Sequence, residues 1–169
     1  TFDVKEPLLI GEELTVAART TVGYDFATDG RDGWVKALLD HGFDPGVPTV
    51  WLLEGLLYYL SNADVLAVIE NIGKISPPHS SVFHDSVSAQ YVYANIAPGG
   101  APFISGSDNY AKLWREHGGF NVSFVRNFGS VMVDRKARHL ALDNSFSAEA
   151  TPVVCRGKQV VLFVEAYKV

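Results

Sequence analysis

The chain has a single cysteine, Cys155, among 169 residues. No internal disulfide can form, and a lone cysteine beside apolar neighbours reads as a small buried hydrophobe. Such cysteine usage suits a reducing compartment, so a cytoplasmic location is expected. Positive charge is also scarce. Lys and Arg number 14 against 19 Asp and Glu, for a formal net charge of -5. A nonspecific nucleic-acid binder needs a broad basic face, so no nucleic-acid partner is expected. No run reaches the ~18 apolar residues of a membrane helix, because Glu54, Gly55 or prolines interrupt the longest candidates. No membrane partner is expected, and no signal peptide is visible, although the chain starts at Thr1 rather than Met. Internal repeats, low-complexity tracts and a G-x-G-x-x-G fingerprint are all missing. No His, Cys and Asp cluster has metal-ligand spacing, so no metal site is expected.

What is present is a globular composition, 47% apolar and 20% charged, in a length that suits one domain. The most informative stretch runs from Pro48 to Leu60. Its first half, Val50 to Leu53, is an uninterrupted apolar run. That suits a strand buried on both faces of a parallel sheet beneath helices. Glu54-Gly55 then falls where the strand should end. Ligands of open α/β sheets bind just outside the carboxyl ends of the strands. A carboxylate there is either a solvated surface acid or a ligand-binding group.

Short strands are expected at Thr1 to Val4 and at Thr20 to Ala27, the latter ending near Asp25-Phe26. A weak helix is expected from Pro7, as a first-turn proline, to about Arg19. A second helix starts near Asp32, with Trp34, Ala37 and Leu38 on one face, and stops at Gly42. Ser61-Asn62-Ala63-Asp64 reads as a capping box. It opens a helix with Val65, Leu66, Val68, Ile69 and Ile72 at helical spacing. Ser81 to Val87 is a further strand. A helix near 88–96 precedes a stretch, Pro98 to Phe103, that with Tyr91 and Tyr93 is either a lid or a packed helix. Asp108 to His117 reads as helix, stopped by Gly118-Gly119. Phe120 to Asn127 reads as strand, and Val153-Val154 and Gln159 to Lys168 as strands about the turn signal Arg156-Gly157. Alternation of this kind argues for a parallel sheet wound with helices.

Three acids, Asp3, Asp25 and Glu54, thus fall near the ends of three predicted strands, where they could converge on one ligand. A ribose, an adenine amino group and an α-ammonium each offer donors to such acids. His84 and Asp85 end another predicted strand. They are the nearest candidates for work on an acceptor, with a histidine satisfied by a hydrogen bond as the alternative.

The run Phe2-Asp3-Val4-Lys5-Glu6-Pro7, then Asp25-Phe26 with Trp34, Gly42-Phe43-Asp44, and above all Trp51-Leu52-Leu53-Glu54-Gly55-Leu56-Leu57-Tyr58-Tyr59-Leu60 carry a resemblance. The chain resembles the leucine carboxyl methyltransferase-like family of S-adenosylmethionine-dependent methyltransferases, and more closely its bacterial O-methyltransferase branch. The likeness continues faintly through Trp114, Gly118-Gly119-Phe120 and Phe163-Val164-Glu165-Ala166. It implies S-adenosylmethionine as cofactor, with Asp3 at the ribose hydroxyls, Asp25 and Phe26 at the adenine, and Glu54 with Gly55 at the methionine part. Tyr59 would pack just past the site. The implied fold is α/β, a Rossmann-like methyltransferase sheet, mostly parallel with an antiparallel strand near the C-terminus.

Two departures qualify the transfer. Lys5 stands where the family has a second acid. The family's glycine-rich loop and its strand, which precede the ribose acid, do not occur here. Residues 1–169 are therefore expected to be part of one domain, from its second strand onward, lacking the first. The missing N-terminal segment would be supplied by the same polypeptide. The implied reaction is methyl transfer to a carboxylate or hydroxyl oxygen of a small molecule or polypeptide. No catalytic residue is assigned. The alternative is a non-catalytic methyltransferase-like module that acts through association.

Overall fold

The computed structural model describes residues 2–11, 18–26, 28–93, 102–127 and 161–169. The expected strand at Val153-Val154, the turn at Arg156-Gly157, Cys155 and Pro98 lie outside the described residues. Two compact units divide the chain, Thr1–Phe43 and Asp44–Val169.

In the first unit, helix α1 spans Phe2–Leu8 and helix α2 spans Gly33–Asp40. This corrects the strand expected at Thr1 to Val4, and Pro7 falls in the last turn of α1 rather than opening a helix. Strand propensity is realised only when a ladder partner is present, whereas a short helix closes its bonds locally. Residues 20–26 are likewise not a strand. They end in a turn, in which Asp29 donates its N–H to the Asp25 carbonyl at 2.9 Å. Tyr24 Oη lies 2.7 Å from the carbonyls of both Asp29 and Gly30. Helix α2 has Asp32, where its start was expected, as N-cap and His41 as C-cap. Gly42 then adopts φ +92°, a left-handed turn that glycine supplies without steric cost. Trp34 is the buried residue of its inner face.

Among the described residues, the second unit holds a four-stranded sheet. Its strands are β1 (Val50–Leu53), β2 (Ser81–Val87), β3 (Asn121–Asn127) and β4 (Val161–Tyr167), in the order β1-β2-β4-β3. β1 and β2 are parallel, while β4 runs antiparallel to both β2 and β3. Three strands therefore share one direction and β4 opposes them. The sheet is mixed by pairing, although its one reversed strand lies near the C-terminus as expected.

Helix α3, Asn62–Lys74, crosses back after β1. Ser61 caps it, accepting the Asp64 N–H at 3.2 Å, the N-cap bond that the expected capping box calls for. Val65, Val68, Ile69 and Ile72 form its buried stripe. Helices α4 (Ala89–Tyr93) and α5 (Tyr110–Leu113) follow β2, and α5 runs directly into a π-helical turn, Trp114–Gly118. Gly119, at φ +69°, closes that turn and turns the chain toward β3.

Alternate residues Val82, His84 and Ser86 of β2, and Leu162, Val164 and Ala166 of β4, are all buried on one face of the sheet. The opposite face carries Phe83 stacked on Phe163, with ring centroids 5.9 Å apart, and Phe124 beside Phe83. On this face Val50 and Leu52 are 79% and 62% exposed. The expectation of a strand buried on both faces is thus corrected. Among the described residues of this unit, β1 has a ladder partner on one side only, and the apolar run reflects a face left open.

The backbones of α3 and the π-turn meet at Gly73. A Cβ there would lie 2.5 Å from the Gly118 carbonyl oxygen. In an open helix, alanine would gain about 1 kcal/mol over glycine. Here Gly73→Ala is expected to cost about 1–3 kcal/mol, because backbone must be displaced. Urea denaturation reads the sign, and a stabilised variant would contradict the close approach.

Candidate functional site

Of the three acids expected at strand ends, Glu54 alone directly follows a strand. Asp3 lies within α1, and its side chain is outside what is described. Asp25 is exposed in the turn after residue 24. Its backbone N–H donates to Asp29 Oδ2 at 3.0 Å. Phe26 meets the Tyr24 ring edge-on at 5.3 Å and the Trp34 ring at 6.2 Å. These residues form an aromatic and acidic turn in the first unit. Glu54 and Gly55 belong to the second unit.

Around Glu54 the second unit builds a definite arrangement. The β1 ladder ends at the pair Leu53 and His84. Glu54 is exposed immediately beyond it. Gly55 adopts φ +65°, the left-handed region in which other residues are strained. Its N–H donates to Asp85 Oδ1 at 2.9 Å, and Tyr58 Oη–H donates to Asp85 Oδ2 at 3.3 Å. Tyr58 lies in a short 3-10 helix, Leu57–Tyr59. Burial pushes its phenol up to about 12, reinforced by the charge and hydrogen bond of Asp85 and, more weakly, by Tyr59 and Glu54. Tyr58 is thus a standing donor and not a base at neutral pH.

An aromatic wall adjoins this turn. Phe103 sits 4.5 Å from the Tyr58 ring, 5.5 Å from Tyr59 and 5.6 Å from Tyr91. Ile104 donates its N–H to the Tyr58 carbonyl at 2.8 Å, and Ser105 Oγ–H donates to the Leu57 carbonyl at 2.7 Å. Residues 102–105 are therefore docked on the turn, and Tyr59 packs there as expected.

His84 is no acceptor-side residue. It lies inside β2, fully buried on the packed face of the sheet. Trp114 Nε1–H donates to its Nε2 at 2.9 Å. Indole nitrogen only donates, so His84 Nε2 must accept and the proton sits on Nδ1. Nδ1–H then donates to the Asp85 carbonyl at 3.1 Å. Burial holds the ring down to about 4, partly opposed by that backbone bond. Asp85, its neighbour, points to the other face and serves the turn. The sequence flagged Asp85 without this role. Its signal was only an acid near the end of a strand adjacent to β1, and its partners lie 27 and 30 residues away.

Among the described residues no group of three His, Cys, Asp or Glu could hold a metal ion. No described helix is long and apolar enough to cross a membrane. A parallel β1–β2 pair with an acid and a left-handed glycine at its carboxyl end, joined to a reversed β4, is compatible with a methyltransferase-like α/β fold.

The comparisons agree with that class. The family model for leucine carboxyl methyltransferase matches residues 1–73. A protein of Mycobacterium sp. (strain KMS), provisionally named an S-adenosyl-L-methionine-dependent methyltransferase, is 38% identical over 95 residues, covering 54% of this chain and 28% of the relative. A similarly named protein of Rhodococcus jostii is 50% identical over 60 residues, 36% of this chain and 20% of its own. One from Streptomyces coelicolor is 41% identical over 69 residues, 41% of this chain and 22% of its own. Over these stretches the chain is similar to the leucine carboxyl methyltransferase family and to proteins named as S-adenosyl-L-methionine-dependent methyltransferases. The matched parts span less than a third of each of these relatives.

Proposed function

We propose that the chain is part of an S-adenosylmethionine-dependent methyltransferase that acts on a carboxylate or hydroxyl oxygen of a small molecule or polypeptide in the cytoplasm. The observation that carries this reading is the exposed Glu54 carboxylate directly beyond β1, followed by Gly55 in a pinned left-handed turn. An α-ammonium group suits that carboxylate, and the glycine leaves room for close approach. Asp25 and Phe26 supply an acid and an aromatic face fit for an adenine, and Asp3 an acid for the ribose. When bound, the cofactor supplies a methyl group on a sulfonium, an already activated leaving group.

The chain's residues then have to align an acceptor rather than activate the donor. The wall of Tyr59, Tyr91 and Phe103 adjoins Tyr58, whose hydroxyl bonds Asp85, and is suited to orient an acceptor. Tyr58, held protonated, cannot take an acceptor proton. A carboxylate acceptor needs no base, whereas a hydroxyl needs one from elsewhere. Among the described residues β1 is an edge strand, which suits pairing with a further strand supplied by the same polypeptide.

S-adenosylhomocysteine titrated calorimetrically into the intact polypeptide tests the reading. Binding is expected, and Glu54→Ala should weaken it about 10–100-fold, the worth of a charged hydrogen bond. An intact, folded polypeptide that binds nothing would instead favour a non-catalytic module, for which Lys5 in place of an acid already argues.

A further inference from the structure

We propose that Asp85 is a positioning residue that clamps both ends of the Gly55–Tyr58 turn and thereby aims the Glu54 carboxylate. The role at the ligand rests on the cofactor reading above; the clamp itself does not.

The clamp follows from where the ladder stops. Register pairing of β1 with β2 ends at Leu53 and His84. One residue further along, Asp85 is level with Glu54. The next N–H of the turn, on Gly55, turns to the Asp85 side chain, with Oδ1 accepting at 2.9 Å. The other carboxylate oxygen accepts from the Tyr58 hydroxyl at 3.3 Å. One side chain on β2 therefore fixes the start and the end of the turn. Glu54 lies between a residue held in the ladder and a residue held by Asp85, so the direction of its side chain is set from both sides. Gly55 needs such a hold, because glycine at φ +65° has more backbone freedom to lose than any other residue. The far end of the turn is secured separately by Ile104 and Ser105. Asp85 is thus the contact that answers for the Glu54 end. Its carboxylate is engaged by two donors, which makes it a holder of the turn and not a base for an acceptor.

The test uses the intact polypeptide carrying Asp85→Ala, Asp85→Asn, Glu54→Gln or the double change Asp85→Ala with Glu54→Gln. S-adenosylhomocysteine is the probe. Asp85→Ala should weaken its binding about 10-fold. Asp85→Asn keeps an amide oxygen for the Gly55 N–H and should recover most of that loss. In the Glu54→Gln background, Asp85→Ala should cost about 3-fold or less, because contacts acting through one another are not additive. Equal losses in both backgrounds would mean that Asp85 merely supports the fold, and would overturn the proposal. Hydrogen exchange at the Gly55 amide gives a ligand-free readout. It should accelerate in Asp85→Ala and stay near wild type in Asp85→Asn, and unchanged exchange in Asp85→Ala would overturn the clamp. If the wild-type polypeptide binds no S-adenosylhomocysteine, the cofactor reading and the aiming role fall together, while the Gly55 amide still decides the clamp. Should Asp85→Ala fold poorly, Tyr58→Phe removes one of the two bonds and carries the same cycle, with an expected loss of about 3-fold that vanishes beside Glu54→Gln.

Discussion

A Trp114→Ala variant is expected to lose about 3–5 kcal/mol of stability, the range for truncating a large buried aromatic side chain. Trp114 is fully buried at the junction of α5 and its π-turn. Its ring meets Phe120 edge-on at 5.4 Å and lies 5.8 Å from the His84 ring. Gly118 passes so close that a Cβ there would meet the indole at 2.9 Å. The turn is wrapped on the ring and has little freedom to collapse into the cavity that alanine would leave. Typical domains have a margin of about 5–15 kcal/mol, so the variant should lose a large fraction of its stability. Chemical denaturation of the intact polypeptide measures the loss, and a cost below about 1 kcal/mol would show that the ring is not central. Trp114→Phe separates packing from hydrogen bonding. It keeps an aromatic ring but leaves His84 Nε2 buried without its donor, at about 1–3 kcal/mol. Adding His84→Leu to Trp114→Phe should cost less than the two single changes together, since both polar partners are then gone.

The core around that tryptophan was legible where the signal is local. Ser61 to Asp64 announces a cap, and Val65, Val68, Ile69 and Ile72 repeat at helical spacing; both features appear in α3. Ser81 to Val87 was readable as a short strand, and Phe120 to Asn127 from its alternation. Thr1 to Val4 and Thr20 to Ala27 show the limit. Their residues permit strand, but permission becomes structure only beside a partner. One is helix, and the other runs into a turn tied down by Tyr24 and Asp29. The run from Val50 to Leu53 was correctly read as strand and misjudged in burial. Composition reports that a face can be covered, not that it is.

For the candidate site the same division holds. Glu54-Gly55 stood out because an acid and a glycine interrupt an apolar strand, and both lie where the reading put them. Asp85 and Tyr58 could not be assigned to them, because hydrogen bonds across 27 and 30 residues depend on strand register. Nor does anything in Ser-Val-Phe-His-Asp-Ser-Val show which of His84 and Asp85 faces the packed side. A slip of one residue would exchange them. The observed register buries the imidazole and leaves the carboxylate to the turn, which is the chemically cheaper choice, since a neutral ring is easier to desolvate than a charge.

That burial makes stability depend on acid in a direction fixed by the ring. The folded-state value for His84 is lowered from 6.5 to about 4. Above about pH 6.5 the ring is neutral in folded and unfolded chains alike, and it adds no pH dependence. Between about pH 6.5 and 4 the unfolded chain takes up a proton that the folded one refuses, so stability falls as pH falls. Below about pH 4 both forms are charged and the loss levels off. The lowering corresponds to a loss on the order of 3 kcal/mol. Protonation of Nε2 would also turn an acceptor into a donor facing the Trp114 N–H, so charging the ring in the folded chain costs that hydrogen bond. Urea denaturation between pH 7.5 and 4 should show the fall, compared with His84→Gln, which has no proton to gain. The other ionisable groups are the same in both proteins, so the difference between the two profiles isolates His84. Parallel profiles would mean that the ring is charged, or reachable by water, in the folded state.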